Sequence, residues 1–160
     1  MRLDRKLPDE IAGVKIQTDF RCILRLLCAE TDEDKGKAIL EIFNGTIPEN
    51  IGEEFNQFIA AGEVKDEDED QPKSFDFVKD AGRIYSSFYS DYGLNLFHDN
   101  LHWWEFLELF KGLSENSIMK KVIEIRTKKL DDKMSKDEIA HWVEMKSLFA
   151  LDDFEGYYSE

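Results

Sequence analysis

An all-α fold, a compact bundle of about six to seven helices, is predicted by three features of the sequence. Apolar residues recur every three or four positions over most of the chain, the period of amphipathic helices. Ser, Thr, Asp or Asn precede several of these segments and glycine follows several of them, as at helix starts and ends. With 160 residues, 42% of them hydrophobic, one domain can bury roughly two-thirds of its unfolded surface.

The N-terminal segment, Leu7 to Thr18, predicts at most a short β-hairpin. Apolar and polar residues alternate from Val14 to Gln17, which is the period of a half-buried strand, and Gly13 suits a turn. An isolated two-stranded hairpin is marginally stable in water. Any strands here are therefore expected to pack on helices.

Two amphipathic helices follow. The first is predicted to begin after Thr18 or Asp19, whose side chains cap free amides of a first turn. The second is predicted to begin after Thr31, which with Asp34 resembles a capping box with a shortened acid, and to stop near Asn44-Gly45. Their predicted apolar faces consist of Phe20, Ile23, Leu24, Leu27, Cys28, Ala38, Ile39, Ile42 and Phe43.

A third helix and an acidic connector complete the N-terminal part. Pro48 is expected in the first turn of the third helix, and Gly62 at its end. Residues 1–62 would thus form an N-terminal helical half. Residues 63–73 form the connector, in which Glu63 to Gln71 carry six carboxylates against the single Lys65. Such a run repels itself, so we expect a solvated connector without a bound ion.

The C-terminal half, residues 74–150, predicts four helices. Their expected N-terminal caps are Ser74 or Asp76, Asp99 or Asn100, Ser114 and Ser135. Gly93 and Gly112 are expected to end the first two in the left-handed conformation. The second of the four, from Leu101 to Phe110, holds two tryptophans, two phenylalanines and three leucines. Because it is apolar on most sides, it is predicted to be the central helix, with one face in the bundle or offered to a partner.

Charge and hydropathy limit the classes of partner. The chain has 35 acidic and 21 basic residues and a net charge of -14, which repels phosphate backbones and acidic membranes. No apolar run reaches the roughly 18 residues of a membrane helix, and residues 1–10 lack the apolar segment of a signal peptide. The sequence predicts a cytoplasmic protein that binds neither nucleic acid nor membranes.

Catalytic motifs are weak. His98 and His102 stand four residues apart with Asp99 between them, the frame of a zinc-protease helix. A cap at Asp99 or Asn100 would leave His98 outside the helix, and a third ligand is not apparent. Neither a nucleophile elbow nor a phosphate-binding glycine loop occurs. We therefore expect a non-enzymatic protein without metal or cofactor, with a metal-dependent hydrolase as a distant alternative.

An ordered set of short motifs spans most of the chain: Thr18-Asp19-Phe20-Arg21, Ile47-Pro48-Glu49-Asn50, Phe75-Asp76-Phe77-Val78-Lys79-Asp80-Ala81, Tyr92-Gly93-Leu94-Asn95-Leu96, Leu101-His102-Trp103-Trp104-Glu105-Phe106, Gly112-Leu113, Ile125-Arg126 and Met145-Lys146. In these motifs the chain resembles the bacteriophage gene product fifteen family. The His-Trp-Trp-x-Phe core is the most specific part. The chain departs from the family at Glu10-Ile11-Ala12-Gly13, where the family has a fuller strand-turn-strand.

The resemblance implies a role in tail assembly. Members of that family occur in the tail-gene modules of long-tailed phages and prophages, where tail-assembly chaperones are encoded. It implies a chaperone that binds the tape-measure protein, helps recruit tail-tube protein and works in the host bacterial cytoplasm during virion morphogenesis. A homo-oligomer is left open.

The candidate partner-binding residues are large aromatics: Trp103, Trp104 and Trp142, with Phe154, Tyr157 and Tyr158 in the acidic, aromatic tail, residues 151–160. Large amphipathic rings dominate the energetics of protein interfaces. At least one of Trp103 and Trp104 is expected in the core, because aromatic residues are usually buried.

Three residues are candidates for a structural role. Arg126 closes an otherwise apolar helix face, and the resemblance places an arginine at this position. We expect it to pair with a carboxylate such as Asp80 or Asp19 at the edge of the bundle, with an ordinary solvated arginine as the alternative.

The net negative charge leaves one further functional class open. An acidic protein can mimic DNA and block a host nucleic-acid-binding protein, which requires carboxylates in rows at phosphate-like spacing on a folded surface. Here the densest acids lie in the connector.

Overall fold

The computed structural model describes residues 4, 6–61 and 74–151. These residues form two compact units, and the units do not follow chain order: residues 4, 6–61 and 95–112 belong to the first, and residues 74–94 and 113–151 to the second. The predicted connector (63–73), Gly62 and nearly all of the predicted tail lie outside the described residues. The prediction that both halves act as a single domain stays a prediction.

The described residues are mostly helical, which confirms the predicted all-α class with a short N-terminal hairpin. In chain order the elements are β1 (Glu10–Ile11), β2 (Val14–Lys15), α1 (Phe20–Leu27), α2 (Asp32–Ile42), α3 (Gly52–Ile59), α4 (Ala81–Tyr92), α5 (Trp103–Lys111), α6 (Ile118–Thr127) and α7 (Lys136–Leu148).

The hairpin packs on helices, as its marginal stability requires. β1 and β2 are antiparallel, and the intervening Ala12 and Gly13 both have positive φ. The backbone N–H of Ala12 donates to the carboxylate of Glu54 in α3 at 2.7 Å. The N–H of Gln17, just after β2, donates to the carbonyl of Ile42 at the end of α2, at 2.8 Å.

Several helix boundaries lie where the sequence predicts them. The side chains of Asp19, Thr31 and Ser135 cap α1, α2 and α7. Ser135 also forms a full capping box with Glu138. At the other end of a helix, Gly93 terminates α4 in the left-handed conformation, with φ 69°.

Three predicted helix starts are wrong. Pro48 precedes α3 by four residues, because Asn50 takes a left-handed conformation (φ 59°) that interrupts a helix. α6 begins after Ser117 instead of Ser114. Asp76 caps a turn over residues 77–80 ahead of α4, since its carboxylate accepts from the N–H groups of Val78 and Lys79.

The start of α5 also differs from the prediction: His102 caps the helix, and Asp99 and Asn100 precede the cap. Its ring Nδ1 accepts the backbone N–H of Trp104 at 3.0 Å. The carboxylate of Glu105 in turn accepts the N–H of His102 at 3.0 Å, which completes a capping box. At the other end, Gly112 has φ -80°, so it is not the left-handed residue that was predicted.

A short backbone bridge joins the starts of α1 and α5. The N–H of Phe20 donates to the carbonyl of Leu101 at 3.1 Å, and the N–H of Trp103 donates to the carbonyl of Thr18 at 2.7 Å. Beyond the bridge, the rings of Phe20 and Phe106 stack with centroids 4.6 Å apart. These contacts fix α5 against α1 and bury the aromatic side of α5.

Each unit has its own buried residues. In the first unit the largest are Ile23, Ile42, Phe43, Trp103 and Phe106, and in the second they are Phe88, Met119 and Val122. Ser87 is also buried in the second unit. Its hydroxyl donates to the carbonyl of Arg83 at 2.8 Å and accepts the N–H of Met119 at 3.1 Å, at the first turn of α6.

Replacing His102 by alanine removes the acceptor at the start of α5. We expect a loss of about 1 kcal/mol in the free energy of unfolding, as for other N-caps, measured by urea denaturation. His102→Asn should restore most of that loss, because its side-chain oxygen also accepts at this position. The control is His98→Ala, at an exposed position outside any helix. Equal losses in His102→Ala and His98→Ala would contradict the capping role.

Candidate functional site

The two adjacent tryptophans of α5 hold the end of α3. The indole N–H of Trp103 donates to the carbonyl of Ile59 at 2.9 Å, and that of Trp104 donates to the carbonyl of Phe58 at 2.8 Å. The last carbonyls of a helix have no partner within the helix, and a buried indole N–H needs an acceptor. Each group therefore satisfies the other.

Trp103, one of the predicted partner contacts, is buried in the first unit. Its ring is only 2% exposed and stacks on Phe106, with centroids 5.8 Å apart. This agrees with the expectation that at least one of the pair lies in the core. Trp104 is half-buried, with its ring 6.2 Å from that of Phe58. Of the pair, only Trp104 keeps ring surface that a partner could contact.

Arg126 forms a buried ion pair with Asp80, one of the two carboxylates that the sequence proposes. Its guanidinium donates to both carboxylate oxygens, at 2.6 and 2.9 Å. The side chain of Asp80 is 0% exposed and that of Arg126 is 7% exposed. Asp19, the other proposed carboxylate, instead pairs with Arg21 at 2.7 Å.

Two further donors of Arg126 also have acceptors. Nε of Arg126 donates to the carbonyl of Phe149 at 2.6 Å, and Nη1 donates to that of Ser74 at 3.2 Å. Arg83 adds a second cation to Asp80 at 2.8 Å. The pair therefore connects α6 with the segment before α4 and with the end of α7.

Electrostatics keep Asp80 ionised. Burial opposes the charge and would raise the pKa of Asp80, but the hydrogen bonds from Arg126 and from the backbone N–H of Asp76 outweigh it. The net effect lowers the pKa of this carboxyl below its ordinary value. An ionised, fully bonded Asp80 fits a structural role.

α7 lies on the surface of the second unit. None of its residues is buried, although five apolar side chains on and just after it are half-buried: Ile139, Trp142, Val143, Met145 and Phe149. The ammonium of Lys128 lies 5.0 Å from the ring centroid of Trp142, within range of a cation–π contact. Trp142 thus combines an apolar ring with a neighbouring positive charge, a contact that the sequence pattern did not indicate.

Phe154, Tyr157 and Tyr158 lie outside the described residues. Their assignment as partner contacts therefore stays a prediction, as does the solvated connector from Glu63 to Gln71.

Neither a metal-binding cluster nor a membrane-spanning helix is present in the described residues. In these residues no three or more His, Cys, Asp or Glu side chains are grouped so that they could hold a metal ion. Both ring nitrogens of His102 are engaged: Nδ1 caps α5, and Nε2 lies 2.9 Å from the carbonyl of Pro8, to which it donates. Across the same part of the chain, no helix has the length and apolar character to cross a bilayer.

The described residues define a mostly helical protein, and comparison with known families gives its class. The model of the family described as Bacteriophage Gp15 protein matches residues 14–151. The chain belongs to this family, which confirms the resemblance found in the sequence. Comparisons with curated proteins and with solved structures give no significant match.

Removing Arg126 should strand a buried carboxylate. We expect Arg126→Ala to cost about 3 to 5 kcal/mol of unfolding free energy in urea denaturation. The matched control is Arg25→Ala, because Arg25 also contacts a carboxylate with two nitrogens, Glu41 at 2.5 and 3.0 Å. The side chains of that pair are 53% and 46% exposed, so its loss should cost under about 1 kcal/mol. Similar costs for both variants would contradict the buried-pair account.

The lowered pKa of Asp80 predicts how its contribution changes with pH. A carboxylate with a depressed folded pKa stabilises the protein above its unfolded pKa, about 3.9, and loses that contribution as pH falls through the folded pKa. Asp80→Asn should therefore be much less stable than the wild type at neutral pH, and the gap should narrow below about pH 4. Urea denaturation across pH measures this gap.

The control for pH is Asp132→Asn, at an exposed position, which should stay within about 0.5 kcal/mol of the wild type. A stability gap for Asp80→Asn that stays constant down to acid pH would show that charge on Asp80 does not contribute.

Proposed function

We propose that this chain is a non-catalytic tail-assembly chaperone that binds the tape-measure protein and helps recruit tail-tube subunits in the host bacterial cytoplasm. Membership in the Bacteriophage Gp15 protein family over residues 14–151 supports a phage function. The step from a phage protein to a chaperone depends on the surface of the helices.

Exposed apolar side chains are the observation that carries this proposal. In the described residues ten large apolar side chains are exposed: Leu27, Leu40, Ile47, Val78, Tyr89, Tyr92, Phe97, Ile118, Leu130 and Leu148. Val78 and Leu148 are 64% and 68% exposed. Single exposed apolar residues are ordinary, but ten of them, six on helices and four in turns or loops, suit a protein that covers another apolar chain.

The client's chemistry explains why such a protein is needed. A tape-measure protein is a very long, largely helical chain, and its apolar stripes need cover until the tail tube encloses them. The net charge of -14 would keep the chaperone and its client dispersed. Binding and release would then suffice, without a chemical step.

Co-expression with the tape-measure protein of the same phage tests the proposal. We expect a soluble complex that survives high salt, because buried apolar area depends weakly on ionic strength. Replacing Val78, Tyr89 and Leu148 together by serine should reduce the yield of complex without unfolding the chain, since all three are exposed. Changing Ser86 and Ser90, exposed on α4, to alanine is the control and should leave the yield unchanged.

One outcome would overturn the proposal. The tape-measure protein would remain insoluble with or without this chain, and a basic host protein would co-purify with the chain in a complex lost between low and physiological salt. That result would favour the acidic DNA mimic.

A further inference from the structure

Among the large apolar side chains that the structure describes, Phe97 is the most exposed. It is 72% exposed, against 68% for Leu148 and 64% for Val78. It lies in a turn over residues 96–98, between α4 and α5, and residues 95–100 belong to the first unit. Turns are usually built from glycine, proline, asparagine, aspartate and serine. Neither burial nor turn chemistry therefore explains a phenylalanine at this position.

The backbone around Phe97 is held in place by its neighbours. The side-chain oxygen of Asn95 accepts the N–H of Phe97 at 3.1 Å, and the carbonyl of Asn95 accepts the N–H groups of His98 and Asp99 at 2.9 and 2.8 Å. The carboxylate of Asp99 in turn accepts the N–H of Asn95 at 2.7 Å. Leu96, directly before Phe97, is buried. The turn thus places one side chain in the core and the next one in water.

Arg21, at the start of α1, fixes this turn to the rest of the first unit. Its Nη1 donates to the carbonyl of Phe97 at 3.1 Å, and its Nη2 donates to the side-chain oxygen of Asn100 at 2.5 Å. The same guanidinium donates to both carboxylate oxygens of Asp19, at 2.8 and 2.7 Å, which sets its direction. Because the turn is ordered on folding, a partner that binds Phe97 does not have to order it.

The surroundings of Phe97 favour an apolar contact. The N–H and the carbonyl of Phe97 already have partners within the chain, so this backbone cannot pair with an added strand. Residues 94–100 contain one acidic residue, Asp99, in a chain of net charge -14, and its carboxylate is bonded to the N–H of Asn95. The ring therefore remains as the group that a partner can bind.

We infer that Phe97 is a rigidly held anchor that inserts into an apolar pocket on a folded partner subunit. An amphipathic helix binds by laying its apolar face into a groove, and a single projecting ring does not form a groove. Such a ring instead fills a desolvated pocket in the partner. The inference rests on the proposed function, in which the folded partner is the tail-tube subunit, and it specifies the surface that recruits this subunit.

Calorimetric titration of the full chain with the purified tail-tube subunit of the same phage tests this inference. Phe97→Ala should weaken binding by about tenfold or more, as expected when an anchor ring is truncated. The urea midpoint should not change, because the ring is mostly exposed. The matched control is Leu148→Ala, on the second unit, which is also mostly exposed and should have less than about a threefold effect. Equal weakening by both variants, or by neither, would overturn the inference.

Asn95→Ala tests the rigid presentation, since it keeps the ring and removes the acceptor of the Phe97 N–H. We expect about threefold weaker binding with a more unfavourable binding entropy, because the partner would then have to order the turn. Asn95→Ser should restore most of the affinity, since a serine hydroxyl accepts the same kind of N–H. Wild-type affinity in Asn95→Ala would overturn the rigid presentation.

The remaining outcomes separate this inference from the proposed function. If the tail-tube subunit does not bind, or if Phe97→Ala disrupts a tape-measure complex or a self-associated form while the tail-tube subunit still binds, the anchor is overturned. A salt-resistant tape-measure complex of the wild type would still support the chaperone in that case. Binding of the tail-tube subunit through Phe97 without any tape-measure complex would support the anchor and contradict the chaperone.

Discussion

Two indole N–H groups on consecutive residues of α5 have to find acceptors once their rings leave water. The last turn of α3 supplies those acceptors, and the first unit depends on this match: Trp103 and Trp104 bond to Ile59 and Phe58. The direction of the two rings is set by the start of α5, where His102 caps the helix and the backbone bridges to α1. The apolar surface of α5 therefore packs mainly within the first unit.

The second unit also contains a buried polar group that needs partners, and here the interaction is a charged one. Asp80 is fully buried and is stable there because Arg126, Arg83 and the N–H of Asp76 all donate to it. Arg126 extends the network to the carbonyl of Phe149, so the end of α7 is anchored while the rest of the helix contains no buried residue. That arrangement leaves α7 both positioned and accessible, as a binding element should be.

The presence of the helices was predictable because it depends on local periodicity. The caps at Asp19, Thr31 and Ser135 were predictable because their side-chain oxygens stand directly before the apolar segments. The start of α5 was not predictable in this way, because histidine is rarely considered a cap and Asp99 and Asn100 are better ones by composition. The start of α3 was predicted too early, because the sequence does not show that Asn50 adopts a left-handed conformation. The sequence pattern did not show whether Arg126 pairs with Asp80 or with Asp19. In the structure Asp19 pairs with Arg21, which is two residues away from it. The contact between Lys128 and the ring of Trp142 is a tertiary feature without a sequence signature.

Under the proposed function, α5 holds the first unit together and α7 contacts the tape-measure protein. Hydrogen–deuterium exchange of the chain alone and in complex with the tape-measure protein tests that division most directly. In the free chain the amides of α7 should exchange faster than those of α5, because helices without buried residues open readily. On binding, protection should rise in α7 and stay unchanged in α5. Protection that rises in α5 and leaves α7 unchanged would contradict the account.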